Sequence, residues 1–263
     1  MKIRILSDLH LEGAFFGYDH QGEDILILAG DISTANHKGI FELLIENVPS
    51  HVEIYFVPGN HEYYHGVFEL QNRYFEQLQG KFPNFTFLNN LGVTYKGFEF
   101  FGGTMFTDFN LDGETQSWFA RNAAKDMIAD FYHIETSKDY AETKLLRNWN
   151  VQDHIEQFRI FERNFKTWIA NTEGKRRIVI SHFMPHQVCV AERFVGSTMN
   201  PYFTCDMEKY FGLMEYWFAG HGHNSIDITI NETRLIMNPR GYGIENRNNF
   251  NADLIVEIED EIS

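Results

Sequence analysis

Ile25-Leu26-Ile27-Leu28-Ala29 is apolar at every position. A strand with one face in water alternates apolar and polar side chains, so an unbroken run predicts a strand covered on both faces. Gly30-Asp31 end the run. A helical pattern follows, with Ile40, Phe41, Leu44 and Ile45 on one face and Pro49 beyond its end. Short apolar runs recur at 3–6, 54–57, 176–180 and 216–219. The chain therefore reads as an α/β fold built around buried strands.

The remaining elements follow from pattern. A second helix is expected from about Val67 to Leu78. Strands are expected at 85–88, 92–95 and 98–101, with Lys96-Gly97 as a hairpin turn between the last two. Ile226 to Ile230 and Thr233 to Met237 form a second hairpin around Asn231-Glu232, and Leu254 to Ile258 a last strand. From about Thr104 to Glu173 charges and aromatics interleave at helical spacing, as in Ile155, Phe158, Phe161, Phe165 and Trp168. This stretch is expected to be a helical insertion forming a partial cap. No linker, repeat or low-complexity tract divides the chain, so residues 1–263 are expected to form a single domain.

Charge narrows the partners. Lys and Arg total 22 and Asp and Glu total 37, for a net charge of −15. Duplex nucleic acid is held through phosphate contacts from a basic face, and the basic residues cluster only at Lys175-Arg176-Arg177. Nucleic acid is thereby disfavoured, whereas a small phosphate compound is not. The two cysteines, Cys189 and Cys205, make no disulfide framework. No run approaches membrane-spanning length and the start lacks a signal-peptide pattern. A cytoplasmic setting is expected.

Five apolar runs end in residues that can hold a metal: Asp8 and His10, Asp31, Asn60, His182, and His221 with His223. Ligand sites of open α/β sheets lie just outside the carboxyl ends of their strands. One such ending has an ordinary explanation as a cap or a polar turn. Five together point to a metal centre. Near His182, Ser181-His182-Phe183-Met184-Pro185-His186 offers a second histidine, but His182 is the one that directly follows the strand. Imidazoles mixed with carboxylate and amide oxygens suit Mn, Fe, Zn, Co or Ni, whereas calcium takes an all-oxygen cage and structural zinc prefers thiolates. Seven candidate ligands exceed one ion's needs and suit two divalent ions about 3.5–4 Å apart, with Asp31 placed to bridge.

Asp8-x-His10, Gly30-Asp31, Gly59-Asn60-His61-Glu62, His182 after a strand and Gly220-His221-x-His223 stand in the order of the calcineurin-like metallophosphoesterase family, which the chain resembles from Asp8 to His223. Asn238-Pro239-Arg240-Gly241-Tyr242 is similar to the close of one bacterial branch of that family. The resemblance implies a four-layer αββα sandwich of two mixed sheets flanked by helices. It implies one ion on Asp8, His10, Asp31 and His223 and a second on Asp31, Asn60, His182 and His221. It also implies a metal-bound water or hydroxide as nucleophile, with His61 as the catalytic histidine rather than a ligand. An acidic residue orients this histidine in the family; Asp31 and Glu62 are both available for that role here.

Arg240, Asn36, Tyr64 and Asn200 lie in loops expected to face the same cleft, and Arg240 matches phosphate geometry best. The expected activity is hydrolysis of small phosphate monoesters or diesters, with manganese a candidate metal. A Ser/Thr protein phosphatase is the alternative reading. A nuclease is disfavoured by charge, and an inactive scaffold by the completeness of the ligand set.

Overall fold

The computed structural model describes residues 1–137, 145–243, 245 and 249–259. In chain order its strands are β1 (Lys2–Leu6), β2 (Ile25–Ala29), β3 (Glu53–Val57), β4 (Gly66–Val67), β5 (Phe85–Phe87), β6 (Leu91–Tyr95), β7 (Phe98–Gly103), β8 (Ile134–Thr136), β9 (Arg147–Asn148), β10 (Arg176–Ser181), β11 (Tyr216–Ala219), β12 (Ile226–Ile230), β13 (Thr233–Met237) and β14 (Ile255–Glu257). The α-helices are α1 (Lys38–Glu46), α2 (Phe68–Lys81), α3 (Glu114–Met127), α4 (Asp130–His133), α5 (Val151–Asn171) and α6 (Asn200–Phe203).

Two large sheets form. The first has the order β14-β1-β2-β3-β5, and the second β12-β13-β11-β10-β7-β6. Both are parallel within, with antiparallel strands only at their edges. The reason for the unbroken apolar runs is now visible. Ile25 and Ile27 face the second sheet, in one cluster with Phe100, Ile178, Ile180 and Phe218. Leu26 and Leu28 face the other way, against Phe41 and Leu44 of α1 and Phe75 of α2. On the far side, Phe101, Val179 and Trp217 pack against Phe161, Phe165 and Trp168 of α5. Helix, sheet, sheet, helix is the expected four-layer order. Each fully buried aromatic or branched side chain contributes roughly 1.5–3 kcal/mol.

The 104–173 stretch divides into parts with different roles. α5 is the outer helical layer of the second sheet. It starts at a capping box, where Asn150 Oδ1 accepts from Gln152 N and Asp153 N and the Asp153 carboxylate accepts from Asn150 N. α3 and α4 lie beside the cleft described below. β4, β8 and β9 form a small three-stranded sheet with β8 in the middle. Strands of two or three residues carry no alternation, so sequence pattern does not announce them. Residues 138–144 of the expected insertion lie outside the described residues. No helix among the described residues is long and apolar enough to cross a membrane.

Candidate metal centre

β1, β2 and β3 run parallel and side by side, so their C-terminal ends open on one edge of the first sheet. β10 and β11 do the same in the second. The chain leaves β1 into Asp8 and His10, β2 into Asp31, β3 into Asn60 and His61, β10 into His182, and β11 into His221 and His223. It turns sharply there. Asp8, His10, Asp31, His221 and His223 have φ of 51°, 45°, 54°, 69° and 49°. Left-handed geometry costs a non-glycine residue of order 1 kcal/mol or more, and such residues gather where a site over-determines the backbone. Gly59 is demanded by close approach, because a Cβ there would lie 2.0 Å from Asp31 Oδ1.

The side chains converge in two groups. Asp8, His10 and His223 bring potential ligand atoms within 4.8 Å of one another, and so do Asp31, His182 and His221. His10 and His223 face each other, Nε2 to Nε2, at 3.2 Å. Each gives its Nδ1 to a carboxylate: His10 to Glu12 at 3.1 Å and His223 to Glu245 at 2.6 Å. With N–H on the far side of each ring, both Nε2 atoms aim lone pairs at the same space, where a cation fits.

The second group repeats the pattern. His182 Nδ1 donates to Ala29 O at 2.9 Å. Its Nε2 then faces Asn60 Oδ1 at 3.2 Å, His221 Nδ1 at 3.2 Å and Asp31 Oδ1 at 3.4 Å. His221 Nε2 is buried without a hydrogen-bond partner. A proton on that atom leaves the Nδ1 lone pair directed into the same space. Burial, joined by the neighbouring His182, pushes the His221 imidazole well below its usual value, which keeps it neutral and able to ligate. Burial pushes the Asp31 carboxyl up, but the His182 and His61 imidazoles outweigh it and hold it well below the usual carboxylate range. Lone pairs facing one another around buried carboxylates are the chemistry of a metal centre, and the residues present fit one.

Residues 1–225 match the family model described as calcineurin-like phosphoesterase. The chain belongs to that family. The family is metal-dependent and hydrolyses phosphate esters. The chain is 25% identical to an uncharacterized protein of Acanthamoeba polyphaga mimivirus, in an alignment covering 98% of this chain and 96% of that one. It is 31% identical to an uncharacterized metallophosphoesterase of Helicobacter pylori over 110 residues, 38% of this chain and 26% of that protein. Among solved structures, the phosphopantetheinyl hydrolase of Mycobacterium tuberculosis superposes with a TM-score of 0.68 at 15% identity, covering 98% of this chain and 95% of that one. That likeness speaks to the fold.

In this calcineurin-like phosphoesterase His61 meets Asp31, one of the two acids expected, through its backbone N–H at 2.9 Å, while its ring takes a third acid, Glu12, and Glu62 serves the backbone. Glu62 is buried and accepts backbone N–H groups from Gly59, Asp31, Ile32 and Ser33 at 2.6–3.0 Å, so it ties the β2 end to the β3 end. Asp31 Oδ2 lies 4.0 Å from His61 Nε2. His61 Nδ1 instead meets Glu12 Oε1 at 3.1 Å, the same oxygen that meets His10. Burial pushes Glu12 up, but hydrogen bonds from His10 and His61 outweigh it and bring it to about 2. Burial also lowers His61, while Asp31 and Glu12 raise it above its usual value overall. The available signal for Glu12 was its period-two spacing with Asp8 and His10.

The loop residues separate. Tyr64 stacks on His61 with ring centroids 4.2 Å apart. Its hydroxyl donates to Asp130 Oδ1 at 2.8 Å. Asn200 lines the cleft, with its Nδ2 donating to Phe194 O at 2.9 Å. Asn36 is exposed, accepts from Thr34 Oγ1 and does not line the cleft. Arg240 departs from expectation: its guanidinium donates to Leu9 O, Ala14 O and Phe15 O at 2.9–3.0 Å, holding the loop after β1 rather than presenting itself to phosphate. Tyr242, two residues on, is the one that reaches the site, its hydroxyl 3.2 Å from His61 Nε2. His186 pairs with Glu208 at 3.2 Å, away from the centre. Asp130, Tyr202 and Glu245 had no sequence signal.

Proposed function

We propose that this protein hydrolyses small phosphate esters using two divalent transition-metal ions. One would be held by Asp8, His10, Asp31 and His223, and the other by Asp31, Asn60, His182 and His221, with Asp31 common to both. The observation that carries the reading is the pair of inward-facing nitrogen sets, in which His10, His223 and His182 each commit the opposite ring nitrogen to a carboxylate or a carbonyl. Bound there, the ions would supply positive charge against the phosphoryl oxygens and lower the pKa of water.

The chain's own groups fill the remaining roles. Glu12 holds His61 Nδ1–H, which leaves Nε2 toward the cleft, and Tyr64 fixes the plane of the ring. His61 is the proposed donor of a proton to the departing oxygen, with the Tyr242 hydroxyl beside the same nitrogen. The site forms the floor of a cleft of about 530 Å³ whose walls include Met127, Met184, Phe194, Met199 and Phe203. That size suits a small molecule and supports a small ester with an apolar organic part over a phosphorylated protein. Manganese is the first metal to try. The proposed setting is the cytoplasm, supported by two free, buried cysteines.

The test is metal analysis after loading with Mn, Zn or Fe, together with hydrolysis of p-nitrophenyl phosphate and bis(p-nitrophenyl) phosphate. Two ions per chain and metal-stimulated release of nitrophenol are expected, and the relative rates assign mono- or diesterase preference. Failure to bind any transition metal, with no metal-stimulated hydrolysis of either ester, refutes the proposal.

A further inference from the structure

Asp130 opens α4, 70 residues from Asn60 in sequence, yet its carboxylate is completely buried beside the second ligand group. Three donors converge on it. Asn60 Nδ2 reaches Oδ1 at 2.9 Å, the Tyr64 hydroxyl reaches Oδ1 at 2.8 Å, and the Tyr202 hydroxyl reaches Oδ2 at 2.7 Å. Both Asp130 oxygens accept from these groups, and the Asn60 amide accordingly turns its nitrogen toward Asp130 and Oδ1 toward His182. A buried carboxylate is costly to place, and an apolar cluster in place of Asp130 and its three donors would avoid that cost. The carboxylate is therefore explained by what it orients. The two tyrosines extend that control, since the Tyr64 ring stacks on His61 at 4.2 Å and the Tyr202 ring meets His221 edge-on at 5.8 Å.

Resting on the two-ion reading above, we infer that Asp130 is the positioning residue of the second ion's site. It locks the Asn60 amide with its oxygen inward, toward the space the second ion would fill. Asn60 is the one uncharged, non-imidazole member of the set, and it is the member most in need of such support. α4 thereby acquires a role beyond packing, because the segment that supplies Ala129 and Ile128 to the cleft wall also carries the anchor of one metal site.

The experiment is manganese titration of purified, metal-stripped protein, followed by calorimetry and by the electron paramagnetic resonance of free Mn. Wild type is expected to bind two ions. Asp130→Asn, a near-isosteric change, is expected to keep the first at close to wild-type affinity and to weaken the second about 10- to 100-fold. The exchange variant Asn60→Asp/Asp130→Asn restores an amide–carboxylate pair with roles reversed. It is expected to recover at least tenfold of the loss, whereas Asn60→Asp alone sets two carboxylates face to face and is not. Should Asp130→Asn fail to fold by circular dichroism, the exchange variant against Asn60→Asp carries the comparison. Wild-type affinity for the second ion in Asp130→Asn overturns the inference. So does equal weakening of both ions, or an exchange variant no better than either single change. Wild-type protein that binds fewer than two ions refutes the two-ion reading itself, and the inference with it.

Discussion

Replacing Glu12 by Gln removes the charge of a carboxylate whose single oxygen holds two imidazoles at once. Glu12 Oε1 accepts from His10 Nδ1 and from His61 Nδ1, each at 3.1 Å. Hydrogen bonds to a charged acceptor contribute about 1.5–3 kcal/mol and neutral ones about 0.5–1.5, so each bond loses about 1 kcal/mol. At 1.36 kcal/mol per tenfold, that is roughly fivefold per bond and roughly thirtyfold for both. The substitution also brings a new donor. Glu12 Oε2 is buried without a partner. The glutamine NH₂ must sit there unpaired or turn against the two rings. The two losses are separable. The His61 share is expected as a fall of about fivefold in kcat for an aryl phosphate at saturating Mn, with KM little changed. The His10 share is expected as a similar weakening of one Mn site, read by titration without substrate. If kcat and both Mn affinities stay within about twofold of wild type, Glu12 does not orient these rings and the reasoning fails.

His61→Asn is expected to leave two metals bound while turnover falls by about 10²–10⁴-fold, the usual contribution of a proton-transferring group; loss of metal would make His61 a ligand instead. Gly59→Ala removes no polar atom, yet its Cβ would lie 2.0 Å from Asp31 Oδ1 and 2.5 Å from Asp31 N. Metal content below two ions per chain is expected, and full content would show that Asp31 can give way. His154 is fully buried, and burial pushes its imidazole down to about 3, against about 6.5 when unfolded. The unfolded chain takes up this proton below pH 6.5 and the folded chain does not, so stability is full above 6.5 and is lost as pH falls toward 3. Between pH 6.5 and 4.5 the loss is about 2–3 kcal/mol. His154→Gln, which keeps an acceptor for Thr107 N–H, should flatten the decline of Tm with acid; an unchanged slope would contradict this.

Much of the architecture was legible because strand burial is a local property. Ile25 to Ala29 could be read as covered on both faces from five residues, and the structure covers them with a second sheet and with α1. The short strands β8 and β9 escaped because pairing, of β8 with β4 and of β9 with β8, rather than their own pattern, makes them strands. α5 was legible as a helix from its aromatic spacing, but its place as the outer layer depended on Phe101 and Trp217 lying beneath it.

The sequence by itself determined which residue types stand at the strand ends, and with them the proposed metal chemistry, because a parallel sheet delivers every such end to one edge. Only the tertiary structure decided which polar groups serve those ligands. Glu12 rather than Glu62 holds His61, Arg240 is spent on carbonyls of the loop after β1, and Asp130 meets Asn60 from 70 residues away. Each of these depends on the path of a loop through space. A side chain's partner across such distances is set by packing, which local pattern does not encode.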